Sequence, residues 1–186
     1  MHPDLDGTPE FGDDDAYFDD PGALTSGSFN ARLLYEPLTV LKNRAPICFK
    51  GSDAVSEAMN AMQREHRGCV LVTEDGTPRT RLTGIFTERD ILLRIIDRGR
   101  HPATITLEEV MVKDPECLVV NAPIAWVLNK MSVGGFRHVP VVDEEDRPVI
   151  IVSVRDVVQF LVDAFPNEIL NLPPEGVERY RTRDGA

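Results

Sequence analysis

Apolar side chains recur along this chain with two alternating periods, and the alternation occurs twice. Val55, Ala58, Met59 and Met62 fall at i, i+3, i+4 and i+7, the spacing of one helix face, and Ile124, Val127, Leu128 and Met131 repeat it. Short apolar runs follow each helix and predict paired strands, Cys69–Val72 with Thr83–Phe86 and His138–Val142 with Val149–Val152. A further short strand precedes each helix, Ile47–Lys50 and Glu116–Val119. Ser52 and Asn121 are of the types that cap helices and mark the expected starts. Closing helices are expected from Thr87 and Ser153, the second with Val158, Leu161, Val162 and Phe165 on one stripe.

The two series superimpose. With a shift of about 69 positions Pro46 and Cys48 fall on Pro115 and Cys117, and Val70 and Val72 on Val139 and Val141. Past a hairpin that is longer in the first half the shift becomes about 66, and Ile85, Thr87, Arg89 and Asp90 fall on Ile151, Ser153, Arg155 and Asp156. Each unit therefore reads β-α-β-β-α, and is too small to be comfortable alone. The expected fold class is α/β (α+β), with two repeated units packed through their sheets as one pseudo-twofold module. Thr106-Leu-Glu-Glu109 has the form of a capping box and predicts a short linker helix. The divisions that follow are a tail over 1–30, units over 31–99 and 113–168 joined by a linker over 100–112, and a surface tail over 169–186.

Charge alters this picture only at one end. The formal net charge is −11, but Asp4, Asp6, Glu10, Asp13, Asp14, Asp15, Asp19 and Asp20 all precede the first basic residue, Arg32. Without them the remainder is near about −3. Residues 1–30 are rich in Asp, Gly, Pro and Ser, a composition expected to stay disordered. No basic stripe for a nucleic-acid backbone stands out, and no apolar run is long enough to span a bilayer. The acidic start does not resemble a signal peptide, so a cytoplasmic protein is expected. Cys48, Cys69 and Cys117 are widely spaced within apolar stretches and read as buried free thiols; no ligand set for a metal completes itself.

Candidate chemistry gathers where strands run into helices. Thr87 and Ser153 stand at helix starts, where backbone amides lack partners and suit phosphate. Asp90 and Asp156, one turn on, are placed to accept from ribose hydroxyls, and Arg89 and Arg155 carry the forked donors that phosphate favours. Ile47, Cys48, Val70, Cys117 and Val139 could flank a flat base. The same Ser/Thr-to-Asp spacing is also a capping arrangement that needs no ligand. The halves are not equivalent: Gly84 corresponds to Ile150, and Gly68 and Cys69 to Arg137 and His138, with Arg67 and Glu88 as charges near the first site. No Ser-His-Asp set, Gly-rich phosphate loop or metal cluster supports catalysis.

Thr83-Gly-Ile-Phe-Thr-Glu-Arg-Asp90, Val152-Ser-Val-Arg-Asp156 and Gly135-Phe-Arg-His-Val-Pro-Val-Val-Asp143 resemble the motifs of CBS domains, over about Leu38 to Pro166. The resemblance implies a Bateman module of two CBS units whose clefts often hold an adenosine derivative, with Thr87 and Asp90 in one cleft and Ser153 and Asp156 in the other. It implies AMP, ADP or ATP as ligand, with NAD or S-adenosylmethionine as alternatives, and no catalysis. A homodimer signalling to an effector protein by a change of geometry is the expected mode of action. The rival is a ligand-free platform for dimerisation or protein interaction, in which Thr87 and Ser153 are only caps.

Overall fold

The structure, a computed structural model, describes residues 31–41 and 44–170. The acidic segment 1–30, with the disorder expected of it, and residues 171–186 lie outside the described residues.

The repeat is visible in the strands and helices. The first unit runs β1 (Cys48–Lys50), α1 (Val55–Arg64), β2 (Cys69–Thr73), β3 (Leu82–Thr87) and α2 (Glu88–Asp90), which continues as a π-helical stretch, Ile91–Ile96. After α3 (Leu107–Val110) and β4 (Val112–Lys113) the second unit runs β5 (Leu118–Val119), α4 (Ile124–Gly134), β6 (His138–Val142), β7 (Pro148–Ser153) and α5 (Val154–Ala164), followed by α6 (Pro166–Leu170). The sheets are ordered β1-β2-β3-β4 and β5-β6-β7. In each, the first strand lies parallel to the second and the hairpin is antiparallel. This is the α+β architecture of two β-α-β-β-α units.

Each sheet covers its own helices with one face and meets the other sheet with the opposite face. Val55, Ala58, Met62, Val70, Val72, Phe86 and Ile95 form the core of the first unit. Ile124, Val127, Val139, Val141, Val152 and Val157 form that of the second. A third cluster, Cys69, Leu71, Leu82, Ile85, Val142 and Ile151 with Cys48 and Cys117 at its edge, joins the sheets. Alternation along β2 explains the division: Val70 and Val72 point to the helices, Cys69 and Leu71 to the partner sheet.

The segments leading into the two units are exchanged. Leu38, ahead of the first unit, donates its amide to the Ala122 carbonyl (3.0 Å), and its side chain, like that of Leu41, is buried in the second core. Leu107, ahead of the second unit, donates to the Asp53 carbonyl (3.0 Å) and is buried with Val110 in the first core. The amides of Val55 and Ile124 bond to Ile105 and Glu36 in the same reciprocal way (3.1 and 2.9 Å).

That exchange corrects the expected helix starts. Ser52 and Asn121 do not cap: α1 and α4 begin after extended Ala54 and Pro123, neither with a side-chain cap. Carbonyls of the exchanged segments take the first amides instead, satisfying orphan donors through the main chain. The stripe on α5 is also displaced. Val158 is 52% exposed, whereas Val157 is buried with Phe160 and Leu161 packed beside it. The capping box at Ser153 fixes where the first turn points and so turns Val157 inward. The predicted linker helix is present as α3, with Thr106 and Glu109 forming its capping box.

Candidate functional site

Both strand-to-helix junctions are built alike. The Thr87 hydroxyl and amide donate to Asp90 Oδ2 at 2.7 and 3.0 Å, and the Asp90 amide returns to Thr87 Oγ1. Ser153 donates to Asp156 Oδ2 from its hydroxyl and amide at 2.6 and 2.7 Å, with the same return bond. Each hydroxyl is thus used as a cap, and one oxygen of each carboxylate is committed to it.

The second oxygen distinguishes them. Asp90 is 7% exposed and its Oδ1 lies 3.2 Å from Arg94 Nε. Arg94 also donates to the Val110 and Met111 carbonyls at 2.8 and 2.6 Å, which ties the first junction to the linker. Met111 then packs over Gly84, whose missing Cβ leaves room for its thioether. The linker thus fills the room that the glycine leaves, which Ile150 takes up in the second half. Asp156 has no arginine at the corresponding place, because Phe160 stands there and packs into the second core.

Asp156 instead lines a cleft of about 400 Å³ with Ser153, Val154, Arg155 and Ile151. Ile47, Gly68 and Cys69 of the first unit line it as well, with Arg44, Arg67, Glu88 and Arg137 contributing charge and His66 and His138 two imidazoles. Of the residues singled out in the sequence, the cleft unites Ile47, Gly68, Arg137, His138, Ser153, Arg155 and Asp156. It does not include Thr87, Arg89 or Asp90. Val70 and Val139 lie in the two cores, and Cys48 and Cys117 stand at the edge of the cluster between the sheets.

Arg67 and Glu88, expected near the first junction, stand beside Ser153. The ends of β2 and β6 converge, since Gly68 approaches the His138 imidazole; within each unit the Gly68 carbonyl accepts from the Glu88 amide and that of Arg137 from the Val154 amide, both at 3.1 Å. These corresponding pairs both border the cleft, so it draws on the two halves at once. Arg44 and His66 were not foreseen. The only signal for Arg44 was its place just ahead of a strand end already marked by Ile47.

Gly68 and His138 are in close register. A Cβ on Gly68 would lie 2.8 Å from His138 Cε1, so the glycine admits the imidazole into the wall. Burial pushes the pKa of His138 below its ordinary value, opposed by Glu88 and Asp156 and assisted by Arg137. The imidazole is therefore predominantly neutral at neutral pH. Burial also raises the thiols, Cys48 and Cys117 to about 11 and Cys69 to about 12. All three cysteines are free, and none is a thiolate nucleophile at neutral pH.

The helix start offers an anion less than the sequence suggested. The amide of Val154 is taken by Arg137 and that of Asp156 by Ser153 Oγ. Capacity for anions resides mainly in the arginine side chains. Among the described residues no group of three or more His, Cys, Asp and Glu stands ready to hold a metal, and no helix is long and apolar enough to cross a membrane.

Comparison with known proteins accords with this architecture. A family model described as the CBS domain matches residues 40–97 and 107–163. The chain is 36% identical over 104 residues to the Arabidopsis thaliana CBS domain-containing protein CBSCBSPB1, covering 55% of this chain and 18% of that protein. It is 32% identical over 124 residues to the Arabidopsis mitochondrial protein CBSX3, covering 64% and 58% respectively. The matched stretch is thus less than two thirds of the length of either relative. An uncharacterised conserved protein from Pyrococcus horikoshii superimposes with a TM-score of 0.62 at 26% identity, over 69% of this chain and 93% of that one. The CBS domain pair of protein MJ0100, solved with 5′-methylthioadenosine and S-adenosyl-L-methionine, superimposes at 0.61 and 23% identity, over 69% and 97%.

Proposed function

The chain belongs to the CBS-domain family, and on that premise we propose that it is a regulatory module that binds an adenine nucleotide in the cleft beside Ser153. The observation that carries this reading is Asp156, whose Oδ1 has no hydrogen-bond partner among the described residues and which lines a cleft of about 400 Å³ where arginines outnumber carboxylates. Such a volume suits a nucleotide-sized ligand. Asp156 accepts from ribose hydroxyls, Ile47 and Ile151 flank the base, and the arginines meet phosphate. MJ0100 supports the choice of an adenosyl ligand through its fold alone. The junction at Thr87 serves a structural purpose in this reading, because Arg94 already occupies Asp90.

Signalling follows from the composition of the wall. Gly68 and Glu88 come from the first unit and Arg137, Ser153 and Asp156 from the second, so a ligand touching both biases the angle between them. In a homodimer that change of angle is the signal passed to an effector protein.

A thermal-shift panel with AMP, ADP, ATP, GTP, NAD and S-adenosylmethionine tests the reading. A ligand at a hundred times its dissociation constant stabilises by about 2.7 kcal/mol, a shift of roughly 5–10 °C. The shift is expected with adenine compounds and is expected to vanish in Asp156→Ala while persisting in Asp90→Ala. No shift with any compound would favour the ligand-free interaction platform.

A further inference from the structure

We infer that this cleft selects its nucleotide by the length of the phosphate chain, binding a nucleoside di- or triphosphate in preference to the monophosphate or to a sulfonium-bearing adenosyl compound. The inference rests on the nucleotide reading above and names the ligand class.

The chain carries a net charge of −11, yet this one cleft assembles Arg44, Arg67, Arg137 and Arg155 against Glu88 and Asp156. Arginines crowded into a concavity repel one another unless an anion sits among them, and low-dielectric walls strengthen that field. Arg67 spends one bond on the Ala45 carbonyl at 2.9 Å. The guanidinium groups of Arg44, Arg137 and Arg155 make no hydrogen bond or ion pair among the described residues. Their forked donors are therefore available.

The three come from separate places: Arg44 ahead of β1, Arg137 ahead of β6 and Arg155 in the first turn of α5. One phosphate is satisfied by one or two guanidinium groups. Donors arriving from three directions match anionic oxygens distributed along a chain of two or three phosphates. The amides of Val154 and Asp156 at the helix start are already bonded, which leaves most of the donors to the side chains. A sulfonium centre would add a further positive charge to the group, which is the unfavourable juxtaposition.

Isothermal titration of the full chain with AMP, ADP, ATP, S-adenosylmethionine and 5′-methylthioadenosine, at low and high salt, tests this. ATP or ADP is expected to bind at least about tenfold tighter than AMP, since each added charge-assisted bond is worth about that factor or more. The preference is expected to shrink at high salt. Arg137→Gln and Arg155→Gln are each expected to weaken ATP by about tenfold and to narrow the preference for ATP over AMP. Both side chains are exposed, and unchanged melting of the unliganded variants verifies that folding is intact. AMP binding as tightly as ATP, or S-adenosylmethionine binding tighter, would overturn the inference and leave the adenine-site reading in place. Absence of binding by every adenine compound would overturn both.

Discussion

Arg94 lies 3.2 Å from the carboxylate of Asp90, and with that contact one of two matching junctions is converted into a brace. The same guanidinium bonds to the carbonyls of Val110 and Met111, in the segment that leads to the second unit. It does so from a π-helical stretch, whereas α5 is a regular helix with Phe160 at the corresponding place. A widened turn alters the direction of its side chains, a common use of such segments. The brace and the open cleft are two outcomes of one repeat.

Replacement of Arg94 by methionine therefore removes the partner of a buried carboxylate and two carbonyl bonds. The expected loss of stability is about 2 kcal/mol or more, measured as a lower urea midpoint. Arg155→Met, at an exposed position without such bonds, is expected to remain within about 0.5 kcal/mol. Equal losses for the two would contradict the role given to Arg94.

The exchanged segments make a second prediction. Leu38 and Leu107 are fully buried, Leu38, ahead of the first unit, in the second core and Leu107, ahead of the second unit, in the first. Leu38→Ala and Leu107→Ala are each expected to cost about 2–5 kcal/mol. Because Leu38 closes the second core, its substitution should increase amide exchange in α4 and β6 before α1 and β2. Exchange increasing first around α1 would show that the segment serves its own unit.

The sequence disclosed what is local and periodic. The faces of α1 and α4, the hairpins and the boxes at Thr87, Thr106 and Ser153 all depend on residues within a few positions of each other. Ser52 and Asn121 misled because caps were sought nearby, while the partners of α1 and α4 came from Ile105 and Glu36. The repeat does extend back to Leu38 and Leu107, which marks the two segments as equivalent but carries no sign that they are exchanged. The meeting of Glu88, Arg137 and His138 beside Asp156 depends on how two sheets pack, and no spacing encodes that. The bond of Arg94 to the linker spans positions 94 to 111 and was equally hidden.

The proximity of Gly68 and His138 is open to a two-residue test. A methyl group on Gly68 would lie 2.8–2.9 Å from the imidazole, so Gly68→Ala is expected to push His138 into the cleft and weaken nucleotide binding. His138→Ala should relieve the crowding and restore much of the loss in the double variant, a coupling of about 1 kcal/mol or more. Additive effects would indicate that the two do not meet.

The cysteines give a chemical readout of the contact between sheets. Thiols raised to about 11 or 12 and placed in or beside the inter-sheet cluster contain almost no thiolate at pH 8. The native protein is expected to resist iodoacetamide, and all three thiols should react once urea separates the sheets. Rapid labelling of Cys69 in the native state would mean that the sheets part readily.

His138 predicts two responses to pH with opposite signs. Burial holds its folded pKa below the ordinary value of 6.5, so between those values the unfolded chain binds more protons. Its contribution to stability is thus present above about 6.5 and is lost as pH falls through that window toward the folded value. Unliganded protein should show a falling urea midpoint from pH 7 to 5, with a shallower slope in His138→Gln. A phosphate chain among Arg44, Arg67, Arg137 and Arg155 changes the balance, because it joins Glu88 and Asp156 in favouring the imidazolium. Proton uptake should then accompany binding, and nucleotide affinity should rise over the same interval in which the unliganded protein weakens. Titration in two buffers of different ionisation heat measures that uptake directly, and an equal uptake by His138→Gln would assign the proton to another group.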